Sequence, residues 1–396
     1  MNKLVLAYSG GLDTSYCAKY LSSEKGYEVH AVSVNTGGFD PEEIREIETK
    51  ALRLGAASYT SIDAVQSFYE KVVRYLIYGN VLRNNTYPLS VSAERIVQAL
   101  EIVNYAKKIG AEYIAHGSTG AGNDQVRFDM IFQILAPEIT IITPIRDEQL
   151  SREEEIAYLQ QKGVDYSWEK AKYSINRGLW GTSVGGAETL TSNRPLPSSA
   201  YPSQASESNT RNLTLRFEKG ELVAIDGKAA KPVANIEKLN AIGASYAIGR
   251  DIHVGDTIIG IKGRVGFEAP ASLMIIKAHH LLEKHVLSKW QQFQKEQLGN
   301  FYGMLLHEGN YLDEVMRNIE AFLQDTQKNV SGDVHLTLHP YRFELNGVDS
   351  PNDLMNASFG KYGEMNKGWT AADAKGFIRL LSNPGKIANY VHHEDN

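Results

Sequence analysis

Ser9-Gly10-Gly11-Leu12-Asp13-Thr14-Ser15 follows a short apolar run, Lys3-Leu4-Val5-Leu6. That run reads as a buried strand of a parallel sheet. Beyond the loop, Tyr16, Cys17, Tyr20 and Leu21 recur at helical spacing, so a helix starts near Asp13 to Ser15. Gly10 and Gly11 permit a tight reversal and a close approach of backbone to a ligand. Ser9, Thr14 and Ser15 add hydroxyls, and the free N–H groups of the helix start face the same space. Strand, Ser-Gly-Gly turn and helix N-terminus together make an anion cradle, with phosphate the expected anion. A capped glycine turn without a ligand is the alternative. The loop lacks the Gly-Lys-Ser/Thr ending of a P-loop and the spaced glycines of a dinucleotide fold.

A chain of 396 residues is long enough for two or three domains. Lys plus Arg number 41 against 47 Asp plus Glu, a net charge of −6, so no global basic surface points to nucleic acid. Cys17 is the single cysteine, which excludes an intrachain disulfide and a cysteine metal cluster. Its place on the apolar face of the first helix suits core packing. No apolar run approaches the ~20 residues of a membrane span. The first strand begins at Lys3, which leaves no room for a signal peptide, so a cytoplasmic enzyme is expected.

Further strands are expected at Val29–Val34, Ser58–Ile62, Tyr113–Ala115 and Ile139–Thr143, alternating with helical patterns. Pro41 with Glu42 and Glu43, and Ser151 with Glu154, are helix starts. The expected fold class is therefore α/β, a doubly wound parallel sheet. Residues 173 to 212 are rich in Gly, Ser, Asn and Pro, with little periodicity. Strands near 213–217, 221–225, 252–265, 334–338 and 341–345, the last pair with an Asn346-Gly347 turn, alternate with helices to give an α+β second domain. Pro384 and Gly385 interrupt any long helix in a terminal arm. The expected division is 1–166, 167–362 and 363–396. His279, His280 and His285 read as helix-surface residues, and no protein-ligated metal is expected.

A second Gly-rich segment, His116-Gly117-Ser118-Thr119-Gly120-Ala121-Gly122-Asn123, again lies between a strand and a helix. Asp124 and Arg127 share one face of that helix. Arg127 offers a planar fork to a carboxylate and Asp124 an acceptor to an ammonium, a combination suited to an amino acid. A local surface ion pair is the alternative.

The first loop resembles the pyrophosphate loop of ATP pyrophosphatases of the adenine nucleotide alpha hydrolase type. Taken with the 116–128 segment, it is similar to argininosuccinate synthase. The resemblance extends to Tyr87, Ser92, Lys172-Tyr173-Ser174, Leu179-Trp180-Gly181 and Asp373-Ala374-Lys375-Gly376-Phe377-Ile378. It implies an ATP-dependent ligation of citrulline and aspartate through a citrullyl-adenylate, with release of pyrophosphate and AMP. It further implies that Ala7, Tyr8, Ser9, Gly10, Gly11, Leu12, Asp13, Thr14, Ser15, Val34 and Gly117 hold ATP. Thr119, Asn123 and Asp124 would hold aspartate. Tyr87, Ser92, Asn123, Arg127, Ser174 and Ser183 would hold citrulline. Asp13, Asp124 and Arg127 are the residues expected closest to the chemistry, and Mg²⁺ is expected with the nucleotide. Asp13 either helps place that metal or caps the helix. The resemblance also implies a homotetramer with an exchanged C-terminal segment.

Two departures stand out. The family's Tyr-Ser segment continues here as Ile175-Asn176-Arg177, and a Glu and a Tyr that contact citrulline in the family correspond to Gly255 and Phe267. Either citrulline is bound through other residues, or the acceptor is an Nα-acylated citrulline, acetyl or succinyl, with Arg177 available to a succinyl acid. Other adenylating enzymes with the same loop, which usually carry catalytic cysteines or basic surface, and a non-catalytic nucleotide sensor are the competing classes.

Overall fold

The structure, a computed structural model, describes residues 2–164, 173–356, 362–364 and 368–393. Two compact units are present, Met1–Asn352 and Asp353–Asn396. Lys172 and the expected boundary at 166/167 lie outside the described residues.

Five strands open the first unit: β1 (Lys3–Ala7), β2 (Glu28–Asn35), β3 (Ser58–Asp63), β4 (Tyr113–Ala115) and β5 (Thr140–Ile142). They pair in parallel in the order β3-β2-β1-β4-β5. Alternation along β1 divides the core, because successive side chains point to opposite faces. Leu4 and Leu6 pack with Cys17, Leu21 and Leu159 under the helices Leu12–Ser23 and Arg152–Gln161. Val5 faces the other way, with Ile96, Ile114 and Phe132 under the helices Ser90–Ile109 and Asp124–Leu135. The chain winds outward from β1 to β3 and then crosses back to β4. The crevice between β1 and β4 is thus the switch point, where an open α/β sheet takes its ligand.

The rest of the unit contributes β6 (Ser174–Gly178), β7 (Gly181–Gly185), β8 (Arg211–Glu218), β9 (Glu221–Ile225), β10 (Lys228–Ala229), β11 (Arg250–Asp256), β12 (Lys262–Glu268), β13 (Gly332–His339) and β14 (Arg342–Asp349). They form two antiparallel sheets, β10-β9-β8-β13-β14 and β11-β12-β7-β6. Helices Pro270–Val286, Lys289–His307 and Glu314–Thr326 pack on them and against the first half. Among the described residues, no helix is long and apolar enough to cross a membrane.

Several local expectations change. Strands β6 and β7 occupy the stretch that looked aperiodic, because their glycines and serines dilute the alternation. The β13–β14 turn is at Pro340-Tyr341, where Tyr341 takes φ 68°. Asn346-Gly347 instead lies within β14, at a register shift opposite His335. His279 is fully buried, its ring nitrogens facing Asn80 Oδ1 at 2.6 Å and Gln327 Oε1 at 2.8 Å, so it is a core residue rather than a surface one. In the second unit, helices Ala371–Leu381 and Asn383–His393 follow a Thr370/Asp373 capping box and bury no residue.

Candidate active site

The loop after β1 is held open by its own hydroxyls. Ser9 Oγ accepts from the Gly11 N–H at 3.3 Å and lies 3.3 Å from Thr14 Oγ1, which donates to the Gly11 carbonyl. Gly10 adopts φ 77°, a left-handed conformation suited to glycine. Lys50 Nζ donates to the Gly10 carbonyl at 2.6 Å, and burial pushes its pKa down to about 8. Sequence reasoning missed Lys50 because it lies forty residues away on the helix Pro41–Arg53. Gly11 is the cap residue of the first helix, without a side-chain cap bond, so Asp13 does not cap it. Asp13 faces Glu155 from the helix Arg152–Gln161. Burial, followed by the nearby Asp13 charge, holds Glu155 above the usual carboxyl range, and its Oε2 is buried without a hydrogen-bond partner.

The loop after β4 meets the first loop at Gly117. His116 fixes the strand end, its Nδ1 accepting from the Ser118 N–H at 3.2 Å while Nε2 lies 2.8 Å from Asp129. Asp129 in turn takes Arg146 at 2.7 Å. Between the loops lies a cavity of about 740 Å³. Ala7, Tyr8, Ser9, Gly11, Leu12, Asp13, Thr14, Val34 and Gly117 line it, as do Thr119, Asn123, Asp124, Arg127 and Ser174. Gly10 and Ser15 do not, and Ser15 is fully buried with its Oγ unpartnered. Gly10 shapes the turn, and Ser15 packs behind it.

Asp124 and Arg127 are not a surface pair. Arg127 is 3% exposed and donates through Nε to the His307 carbonyl at 2.9 Å and through Nη1 to Asp124 Oδ1 at 2.8 Å. Arg95, from the helix Ser90–Ile109, donates to the other oxygen, Asp124 Oδ2, at 2.9 Å. It also reaches Glu94 Oε1 at 3.0 Å and Asn176 Oδ1 at 3.2 Å. Burial raises the cost of ionising Asp124, but Arg95 and Arg127 overcome it and hold the carboxyl at about 2. The outcome is a carboxylate that stays ionised at the cavity wall, each of its oxygens accepting from one guanidinium. Glu94, fully enclosed, is pushed up to about 7 by burial, against the opposing pull of Arg95 and Thr36.

A second cavity of about 250 Å³ opens on the far side of Asn123 and Arg127, which line both. Tyr87, Ser92 and Ser183 line this second space. Five of the six residues assigned to citrulline thus converge there, while Ser174 lies on the first cavity. Tyr87 is fixed by its hydroxyl, which accepts from the Val91 N–H at 3.2 Å at the start of its helix. Ser183 is placed by β7, paired with Phe267 of β12. Phe267 is fully buried against Tyr87, with ring centroids 5.4 Å apart, and does not line the cavity. Gly255 does line it, and a Cβ there would stand 2.7 Å from His253 Nε2. His253, two residues earlier on the same face of β11, fills the space a side chain at 255 would need. Arg177 is ion-paired with Glu43. Arg95, His253 and His307 were missed from sequence, having no motif around them.

Comparison with known proteins agrees with this architecture. Residues 3–165 match the profile of the arginosuccinate synthase N-terminal HUP domain, and residues 173–388 match that of the arginosuccinate synthase C-terminal domain. The chain is 39% identical over 390 residues to the argininosuccinate synthase of Xanthomonas campestris pv. campestris, covering 96% of each chain. It is 38% identical over 363 residues to that of Methanocaldococcus jannaschii, covering 91% of each. With the Xylella fastidiosa argininosuccinate synthase the identity is 35% over 401 residues, covering 98% of each. The chain belongs to the argininosuccinate synthase family.

Proposed function

We propose that this protein ligates citrulline and L-aspartate at the expense of ATP, giving argininosuccinate, AMP and pyrophosphate, in arginine biosynthesis. The supporting observation is the pair of cavities that meet at Asn123 and Arg127, one under the Ser-Gly-Gly loop and one reaching Tyr87 and Ser183. ATP lies along residues 7–14, Val34 and Gly117, with its phosphates toward the loop and the helix N-terminus. The ureido oxygen of citrulline attacks the α-phosphorus, and the bond to the pyrophosphate oxygen breaks. The aspartate amine, held through its own head group by Thr119, Asn123 and Asp124, then attacks the ureido carbon of citrullyl-AMP. AMP leaves with the C–O bonding pair, and the amine loses a proton. Catalysis rests on placing three substrates and on the loop N–H groups facing charge that develops at phosphorus.

Mg²⁺ would accompany the nucleotide and neutralise phosphate charge. Asp13 fits this role, because it lines the nucleotide cavity beside the loop and its carboxyl is held up by burial, a cost that a cation there would offset. An Nα-acylated acceptor is not favoured: the relatives named above are argininosuccinate synthases, and Arg177, the side chain a succinyl group would need, is paired with Glu43. We also propose a cytoplasmic homotetramer, built with the arm 363–396, and a division at 166/167. The arm's exposed Phe377, Ile378, Leu381 and Tyr390 support the first, and the interval between the two profile matches supports the second.

The test uses citrulline carrying ¹⁸O in the ureido group. Turnover with ATP and aspartate should give argininosuccinate and AMP in equal amounts, with the label in the AMP phosphate. Unlabelled AMP overturns the adenylate route. Absence of argininosuccinate overturns the function.

A further inference from the structure

Four arginines line the larger cavity: Arg95, Arg127, Arg152 and Arg177. Three of them are committed to carboxylates, Arg95 to Glu94 and Asp124, Arg127 to Asp124, and Arg177 to Glu43. Among the described residues, Arg152 alone of the four has neither a hydrogen bond nor an ion pair. It is exposed, at the first position of the helix Arg152–Gln161, whose start is fixed by the Ser151–Glu154 capping box. A cation in the first turn opposes the helix dipole, so helix stability does not account for it.

The packing of two helices fixes where this charge stands. Leu12–Ser23 and Arg152–Gln161 run side by side in the same direction, with Asp13 meeting Glu155 and Tyr16 meeting Tyr158, ring centroids 4.9 Å apart. One turn further back along both, the same register sets Arg152 level with Gly10 of the Ser-Gly-Gly loop. The Asp13 and Glu155 carboxyls feel its charge, but neither is ion-paired with it. Arg152 therefore borders the cavity at the loop end, where the helix start and the loop N–H groups face an anion. A planar guanidinium fork matches the oxygens of a phosphate group.

We propose that Arg152 binds the β- and γ-phosphates of ATP and holds them as they leave together as pyrophosphate. The ureido oxygen bonds to the α-phosphorus, the bond from that phosphorus to the α–β bridging oxygen breaks, and the electron pair goes to pyrophosphate. The guanidinium then meets the charge that gathers on the leaving group. The assignment rests on the function proposed above and deepens it, naming a residue outside both glycine-rich loops and the part of the nucleotide it reads.

Inorganic pyrophosphate with Mg²⁺ is the probe, because it binds without turnover. In titration calorimetry the pyrophosphate Kd should rise roughly 10–100-fold in R152Q, the loss expected for hydrogen bonds to a charged group. R152K keeps the charge but not the fork, so it should recover only part of that loss. The Kd for AMP, which lacks both outer phosphates, should stay within about threefold, as should the citrulline and aspartate KM values. In turnover, kcat/KM for ATP should fall in the same order as pyrophosphate affinity. An exposed side chain without partners contributes little to the fold, so the Tm of unliganded R152Q should match that of the wild type.

A wild type that binds no pyrophosphate, an unchanged pyrophosphate Kd in R152Q, or equal losses for pyrophosphate and AMP would each overturn the assignment. Recovery of pyrophosphate binding in R152Q/E155Q would do the same, by showing that Arg152 only balances the Asp13 and Glu155 carboxyls. A wild type that binds pyrophosphate through Arg152 yet forms no argininosuccinate would overturn the function proposed above and leave the phosphate contact standing.

Discussion

Gly117 stands directly against the backbone of Asp13. A Cβ built on it would lie 3.1 Å from the Asp13 carbonyl carbon and 3.1 Å from the Thr14 amide nitrogen. These are backbone atoms at the start of a helix and cannot move aside as a flexible side chain would. G117A should therefore wedge the two nucleotide-facing loops apart. We expect kcat/KM for ATP to fall by roughly 10–100-fold, the cost of a small misplacement in a positioned reaction. Pyrophosphate release at varied ATP is the measurement, and an unchanged value would show that the loops do not act together.

Arg95 is the half-buried centre of a polar cluster, with Asp124, Glu94 and Asn176 around it. R95M should leave the enclosed Glu94 without its cation and the partly exposed Asp124 with Arg127 alone, destabilising the fold by about 1–3 kcal/mol. R95K restores charge but not the fork that reaches several partners, so it should recover only part of the loss. Denaturant unfolding of the three proteins, with the aspartate KM alongside, checks this.

Glu94 gives a pH dependence of defined sign. An ordinary glutamic acid ionises near 4.5, whereas in the fold Glu94 holds its proton to about 7. The native state is therefore the more protonated one across that interval, and stability falls as pH rises from about 4.5 through about 7. E94Q, which cannot ionise, should flatten this part of the profile and be relatively more stable near pH 8, on the order of 1–3 kcal/mol. Thermal unfolding from pH 5 to 8 would show parallel curves for the two proteins if the carboxyl were ionised throughout.

Far from the cavities, Lys295 donates to Glu283 Oε2 at 2.7 Å, with both side chains no more than 3% exposed. Asn80 and Gln327 complete the carboxylate's shell. K295M should cost about 3–5 kcal/mol by leaving Glu283 charged and unpaired. The double change K295M/E283Q should regain much of that. Urea unfolding of the single and double variants tests the coupling, and simple additivity would contradict it.

What the sequence made legible was whatever repeats locally. β1, β2 and β4 stand out as apolar runs, and both glycine-rich loops follow a strand, so the parallel sheet and the nucleotide crevice could be read from them. Arg127 was found because it sits three residues from Asp124. Its hold on His307 spans 180 positions and leaves no trace in either neighbourhood. Arg95 looks like one more polar residue on a helix until the fold turns that face toward Asp124. β6 and β7 were hidden because they carry Ser, Asn, Gly and Thr at most positions where a buried strand would carry Val or Ile. Asn346-Gly347 misled because a left-handed Tyr341 made the turn instead.

Arg127 is tethered at Nη1 to Asp124 on its own helix and at Nε to the His307 carbonyl 180 positions along the chain, and so it is a fixed partition rather than a swinging arm. For an acceptor whose head group is seated in the smaller chamber, the distance to the nucleotide is then set by the protein and spanned by the substrate. With the substrates seated as proposed, the chamber acts as a depth gauge. A side chain one methylene too short leaves its oxygen behind the partition, and one too long must buckle before reaching phosphorus. Selection by length is thus a property of the wall, independent of any contact to the ureido group itself.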